Sequence, residues 1–209
     1  MPTVVSVDPR SPDRDLIARA AEAMRAGGIV AYPTDTLYGL GVDPRHRGAV
    51  AALFAAKGRP AGQALPLIAA DADQAGLAAR LTPLARRLAE AFWPGPLTIV
   101  VPAAAPLAPG VAAADGTVAI RVPAHEVARA LARAIGWPVT ATSANRSGEP
   151  PASTMDAVLG ALADRLAFAI DAGPAPGGPP STIVDATGPA PVLVRAGVVP
   201  WTRVLESLE

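Results

Sequence analysis

The chain contains no cysteine, which excludes disulfides, thiol nucleophiles and cysteine-ligated zinc or iron–sulfur centres. Its two histidines, His46 and His125, lie far apart in sequence, so no histidine metal cluster is expected. Aromatic residues are only 4% of the total, so the core has to be built from Ala, Val, Leu and Ile, and the base-stacking platforms of single-strand binders are not expected. Charge of neither sign dominates: 18 basic and 18 acidic residues leave a net charge of +0, which removes a polybasic nucleic-acid or membrane surface but permits a local basic hollow. The longest apolar region, Leu97 to Ala114, is broken by Pro102, Pro106 and Pro109 and is not a membrane span. The start, MPTVVSVDPR, lacks a basic stretch followed by an apolar one, so no secretory leader is expected and the expected location is the cytoplasm. Also missing are the GxxxxGKS/T phosphate loop, the GxGxxG dinucleotide turn, the GxSxG nucleophile elbow and HExxH. Any nucleotide must therefore be held by scattered side chains and backbone amides.

What is present is unevenly distributed. Of the 18 basic residues 17 are arginine, and the single lysine is Lys57 in Lys57-Gly58-Arg59-Pro60. Lysine offers a compact, mobile point charge where arginine offers a planar fork, so a chain that uses arginine everywhere else is using that difference here. The plainer reading is a lysine in the last turn of a helix, favoured by the helix dipole, with Gly58 as C-cap and Pro60 as stop. The two tyrosines, Tyr32 and Tyr38, flank Pro33-Thr34-Asp35-Thr36, and the lone asparagine, Asn145, sits in the polar run Thr142 to Ser147. Together these clusters favour a site.

Along the chain, Ser11-Pro12 reads as the start of a helix that places Leu16, Ile17, Ala20 and Met24 on one face and ends at Gly27-Gly28. Ile29 to Tyr32 reads as a buried strand running into the Thr-rich loop. Asp43-Pro44 opens a helix whose Val50, Leu53, Phe54 and Lys57 share a stripe. Further strands are expected at Leu65 to Ala69, Leu97 to Val101, Thr117 to Val122, Val139 to Thr142, Phe168 to Ile170, Ile183 to Asp185 and Val192 to Arg195. Helices are expected after Thr82-Pro83, from Glu126 to Ile135, and from the capping box at Ser153 to Asp156 as far as Leu162. Arg121 stands among apolar neighbours in its strand, and such a charge requires a partner. Strands interspersed with helices predict one α/β (α+β) domain over residues 1–209, with a twisted, open, mixed sheet, flanking helices, and ligands at the polar loops on strand ends. Lys57, Arg59 and Arg195, with the hydroxyls of Thr36, Thr117, Ser143 and Ser181, are the groups suited to phosphates.

Six segments in order, Pro33 to Gly41, Lys57 to Pro60, Gly95 to Thr98, Val118 to Pro123, Ser143 to Gly148 and Ser181 to Ile183, resemble the successive motifs of the YrdC family across residues 13–200. The resemblance implies a twisted open sheet with a concave basic face and a threonylcarbamoyl-AMP synthase. Such an enzyme makes the adenylate and pyrophosphate from L-threonine, bicarbonate and ATP, for threonylcarbamoyladenosine in tRNA. It implies that Thr36, Arg121, Ser181 and the backbone at Ala141 contact threonine, and that Arg59, Thr117, Ser143 and Arg195 contact ATP. Lys57 and Asn145 would complete a catalytic tetrad with Arg59 and Ser143, and Mg²⁺ would be bound through the ATP phosphates. Implied partners are tRNA or double-stranded RNA and the downstream proteins that transfer the threonylcarbamoyl group. The chain resembles the family's short form. It departs from the pattern after Pro60, where the family has a histidine toward threonine and this chain reaches Ala69-Ala70 without one. A further nucleotide contact falls at Pro151. A paralogue that binds nucleotide or RNA without making the adenylate is the other reading the residues leave open, and a carbamoyl-transfer module like that of hydrogenase-maturation proteins is a more distant one.

Overall fold

The computed structural model of the protein describes residues 1–58 and 64–209. The first half contains β1 (Thr3–Ser6), α1 (Arg14–Arg25), β2 (Val30–Pro33), β3 (Tyr38–Gly41), α2 (Arg47–Lys57), β4 (Leu67–Ile68), α3 (Ala72–Ala78), α4 (Pro83–Phe92) and β5 (Leu97–Pro102). The second half contains β6 (Thr117–Arg121), α5 (Glu126–Ile135), β7 (Val139–Thr140), β8 (Thr142–Ser143), α6 (Met155–Leu162), β9 (Phe168–Asp171), β10 (Thr182–Asp185), β11 (Val192–Arg195) and α7 (Trp201–Glu206).

The α/β architecture is as expected, but the strands hydrogen-bond in two mixed sheets instead of one, ordered β1-β9-β2-β3-β8 and β11-β10-β5-β6-β4-β7. The division falls within a single run of chain. β7 pairs with β4 and β8 pairs with β3, and between them Ala141 donates its N–H to the Pro66 carbonyl at 2.8 Å. Residues 139–143 thus leave one sheet and join the other. Thr140 ties the seam by donating its N–H to Val42 O and accepting the Val42 N–H on its hydroxyl.

The helices bury apolar stripes on these sheets. Ile17, Ala20, Ala21 and Met24 of α1 meet Val127, Leu131 and Ile135 of α5 over Val30 and Tyr32. Helices α2, α4 and α6 cover β5, β6 and β10 through Leu53, Leu88, Val158, Ile99, Ile120 and Val184. Helix starts differ from expectation by one to three residues, because the nearest side chain able to reach the open amides decides the cap. Asp13 accepts the N–H groups of Asp15 and Leu16 where Ser11 was expected, and Thr154 accepts that of Ala157 where Ser153 was. His46 Nδ1 caps α2 in place of Asp43. The strand β3 was not expected: its Tyr-Gly-Leu-Gly sequence lacks β-branched residues, but Gly41 is required because a Cβ there would lie 2.7 Å from the Tyr32 ring and 2.9 Å from Thr140 O.

Candidate active site

Alternation along β6 sends Val118 and Ile120 into the core and puts Ala119 and Arg121 on the opposite face, where both line a cleft of about 460 Å³. The β2–β3 turn contributes Thr34 and Thr36 to the cleft lining. Ser181, Ile183 and Arg195 come from β10, its approach and β11, Thr98 from β5, and Ala141, Thr142 and Ser143 from the seam between the sheets. Six sequence-selected residues, Thr36, Arg121, Ala141, Ser143, Ser181 and Arg195, therefore share one hollow, although they are spread over some three-quarters of the chain.

Arg121 is 6% exposed, and the partner its position demanded is Asp35: Nη1 donates to Asp35 Oδ1 at 2.7 Å. The other carboxylate oxygen accepts the Ala124 N–H at 3.2 Å, just past the end of β6. Arg195 is held differently. Its Nη2 donates to Ser181 O at 2.7 Å and Ser181 Oγ at 3.2 Å, and Ser181 Oγ is 2.9 Å from Thr98 Oγ1. Desolvation against the cleft wall, and then the like charge of Arg121, pull the Arg195 guanidinium below its ordinary pKa. Thr36 Oγ1 lies 3.1 Å from Thr34 Oγ1, whose proton reaches the Leu37 carbonyl at 2.7 Å. With that proton committed, Thr36 donates its own to Thr34 Oγ1 and meets a ligand as an acceptor.

Lys57 takes a different place. It is 4% exposed and lies behind the cleft wall, with Nζ donating to Ser143 O at 2.5 Å, Asn145 O at 2.7 Å and Asn145 Oδ1 at 3.4 Å. Three oxygens converging on one cation suit an ammonium better than a guanidinium plane, which accounts for the lone lysine. Asn145 is also behind the wall. Its Nδ2 sits between the carbonyls of Arg146 and Glu149, so Oδ1 must face Lys57 and Ser143. The Ser143 hydroxyl consequently donates to Asn145 Oδ1, at 2.5 Å, and turns its lone pairs to the cleft. Ser143 presents an acceptor there.

Thr117 shares a face with Ala119 and Arg121 but is not in the cleft wall, and its hydroxyl donates to Asp115 Oδ1 at 2.7 Å. Arg59 lies outside the described residues. Tyr38 borders the cleft while its hydroxyl packs among Gly173 O, Asp171 Oδ1 and the Ala172 N–H, and burial pushes its pKa up to about 12. Tyr32 is wholly buried and donates to Thr140 O. Sequence reasoning gave no role to Asp35 and Thr98; the demand of a strand-borne arginine for an acid was the one available clue to Asp35. Pro151 does line the cleft, and Ala69 and Ala70, where a family histidine is missing, are buried. Among the described residues no cluster of three or more acidic or histidine side chains is placed to hold a metal, and no helix is long and apolar enough to cross a membrane.

A Mycobacterium tuberculosis protein is 41% identical over 204 residues, which is 96% of this chain and 92% of its own length. The Bacillus subtilis protein named threonylcarbamoyl-AMP synthase is 40% identical over 192 residues, covering 91% of this chain and 56% of its own. Among solved structures, Pyrococcus abyssi Sua5 complexed with L-threonine superposes with a TM-score of 0.89 at 36% identity, over 98% of this chain and 60% of that one. This chain is thus little more than half the length of the latter two proteins. The family model for Sua5, YciO and YrdC proteins, described as telomere recombination, matches residues 22–197, and the chain belongs to that family.

Proposed function

We infer that this chain is an L-threonylcarbamoyladenylate synthase, a nucleotidyltransferase that joins L-threonine, bicarbonate and ATP with release of pyrophosphate. The observation that carries the reading is the convergence of two arginines of unlike setting, Arg121 and Arg195, with the hydroxyls of Thr36, Ser143 and Ser181 in one cleft. Its size suits a small amino acid beside a nucleotide. The B. subtilis relative's name and the threonine bound by P. abyssi Sua5 support the same substrates.

The free edge of the Arg121 fork takes the threonine carboxylate, and Thr36 and Ser181 hydroxyls fix the rest of the amino acid. The Ala141 N–H is already bonded to Pro66, which leaves the Ala141 carbonyl as acceptor for the substrate's amine or hydroxyl. The threonine nitrogen adds to carbon dioxide from bicarbonate, giving a carbamate and a proton. A carbamate oxygen then bonds to the α-phosphorus as the bond to the β-phosphate oxygen breaks, and pyrophosphate leaves. This needs no covalent enzyme nucleophile; alignment and charge neutralisation carry it. Arg195 and Arg59 neutralise the phosphates, and Ser143 accepts a hydrogen bond from the nucleotide or its hydration shell. Mg²⁺ arrives with ATP and is held through its phosphates. Thr117 reaches the nucleotide after releasing Asp115, and Lys57 and Asn145 act from behind by fixing Ser143. Residues 1–209 form one YrdC-like domain working in the cytoplasm, where the adenylate passes to proteins that modify tRNA.

Pyrophosphate release from ATP in bicarbonate, compared with threonine, with serine and with no amino acid, tests this. Threonine-dependent release is expected. Equal rates in all three would remove the synthase and favour the nucleotide- or RNA-binding paralogue.

A further inference from the structure

A cleft that holds two guanidinium groups among the described residues, and is to take two anionic ligands, has a sorting problem. A triphosphate carries more charge than a carboxylate and, with equal arginines, would attract both. The arginines are not equal. Arg121 has the Asp35 carboxylate at 2.7 Å, whereas among the described residues the hydrogen-bond partners of the Arg195 side chain are the neutral carbonyl and hydroxyl of Ser181. Both members of the Arg121–Asp35 pair are largely out of water, at 8% and 12% side-chain exposure, so the cancellation is weakly screened. The carboxylate cannot swing away, because Ala124 N–H holds its second oxygen. The Arg121 side chain makes no other hydrogen bond among the described residues, which leaves its remaining N–H groups for a ligand in the cleft.

We propose that Asp35 sorts the two anions: by cancelling the charge of Arg121 while fixing its fork, it reserves that arginine for a carboxylate and leaves the phosphates to Arg195. Asp35 is a positioning residue that acts through Arg121 and touches neither ligand. The same short turn supplies the flanking Thr34 and Thr36 to the cleft, so one segment sets both the hydroxyl contacts and the counter-charge. The inference rests on the synthase reading for the identity of the two anions.

The test is calorimetric titration of pyrophosphate and of threonine, each alone and with the other saturating, into the wild type, Asp35→Asn, Asp35→Glu and Arg121→Gln. In the wild type the two bind independently. Asp35→Asn keeps the shape and an acceptor for Arg121 but restores a net cation, so pyrophosphate tightens about tenfold and saturating threonine now competes with it. Asp35→Glu retains wild-type independence. Arg121→Gln loses threonine but leaves pyrophosphate affinity within about twofold, and this decides the matter even if Asp35→Asn does not fold. A merely structural Asp35 would lower stability without creating competition. Unchanged pyrophosphate binding in Asp35→Asn, or Arg121→Gln weakening pyrophosphate as much as threonine, overturns the proposal. Absence of threonine-dependent turnover in the wild type counts instead against the synthase reading, and the pyrophosphate titrations still decide the charge argument.

Discussion

The Lys57 ammonium donates to the carbonyl oxygen of Ser143 at 2.5 Å, across 86 residues of sequence, and so fastens the end of α2 to the seam between the two sheets. The chain's one lysine is a buried tie behind the cleft. Lys57→Ala should leave the oxygens of Ser143 and Asn145 unsatisfied, lowering stability by about 1–3 kcal/mol and freeing Ser143, with a larger loss of turnover than of fold. Lys57→Arg should not restore activity, since a planar fork cannot occupy the same point. Urea unfolding midpoints together with pyrophosphate release check both; a Lys57→Ala protein with wild-type midpoint and rate would contradict the role.

In the proposed synthase, Arg121 offers its free edge to the amino acid. Arg121→Gln should raise the KM for threonine by roughly 10- to 100-fold, the range for a lost charge-assisted hydrogen bond, with a much smaller effect on the KM for ATP. Initial rates at varied threonine and fixed ATP provide the measurement.

Gly197 packs where no side chain fits. A Cβ there would lie 2.2 Å from Pro180 O and 2.5 Å from the Ser181 carbonyl carbon, so the backbone bearing Ser181 has to move. Gly197→Ala is expected to lower stability by about 1–3 kcal/mol and to weaken both substrates, because Ser181 holds Arg195. A wild-type melting curve with wild-type KM values would show that the segment yields at no cost.

His125 stands at the N-cap of α5 without a capping hydrogen bond, and its buried Nδ1 has no partner among the described residues. Burial, only partly offset by Asp35 and Glu126, pulls its pKa below the ordinary 6.5. The folded state therefore binds the proton less readily than the unfolded chain. Its contribution is constant above the unfolded pKa and is lost as pH falls from there toward the folded value. His125→Asn, with an oxygen able to cap, should gain about 1 kcal/mol and flatten the dependence of the urea midpoint on acid pH. A midpoint slope unchanged by the substitution would assign the acid sensitivity elsewhere.

Local chemistry made much of this legible in the sequence. Helices with a one-sided apolar stripe, such as Val50 and Leu53 in α2, and strands rich in Val and Ile, such as β5 and β6, were recognisable because periodicity is local. Thr36 and Ser143 stood out because they lie in polar runs at strand ends, Lys57 and Asn145 because they are the only residues of their kind, whereas roles for Arg121, Ala141 and Ser181 toward threonine came from the family resemblance alone. What sequence could not carry was partnership across the chain. That Asp35 answers Arg121, that Lys57 lies behind Ser143 instead of in the cleft, and that residues 139–143 change sheets at Ala141 all depend on contacts between segments some 75 to 90 residues apart. Thr117 shows the complementary limit: its face was deducible from alternation, but its commitment to Asp115 was not.

The central claim is that one cleft brings an amino-acid carbamate to the α-phosphorus of ATP. The most direct measurement is mass spectrometry of the purified protein's products from ATP and threonine in ¹³C-bicarbonate. The account predicts a threonine- and ATP-dependent adenylate carrying the heavy carbon, with equimolar pyrophosphate. Nucleotide breakdown without heavy-carbon incorporation, or the same products when threonine is omitted, would contradict it.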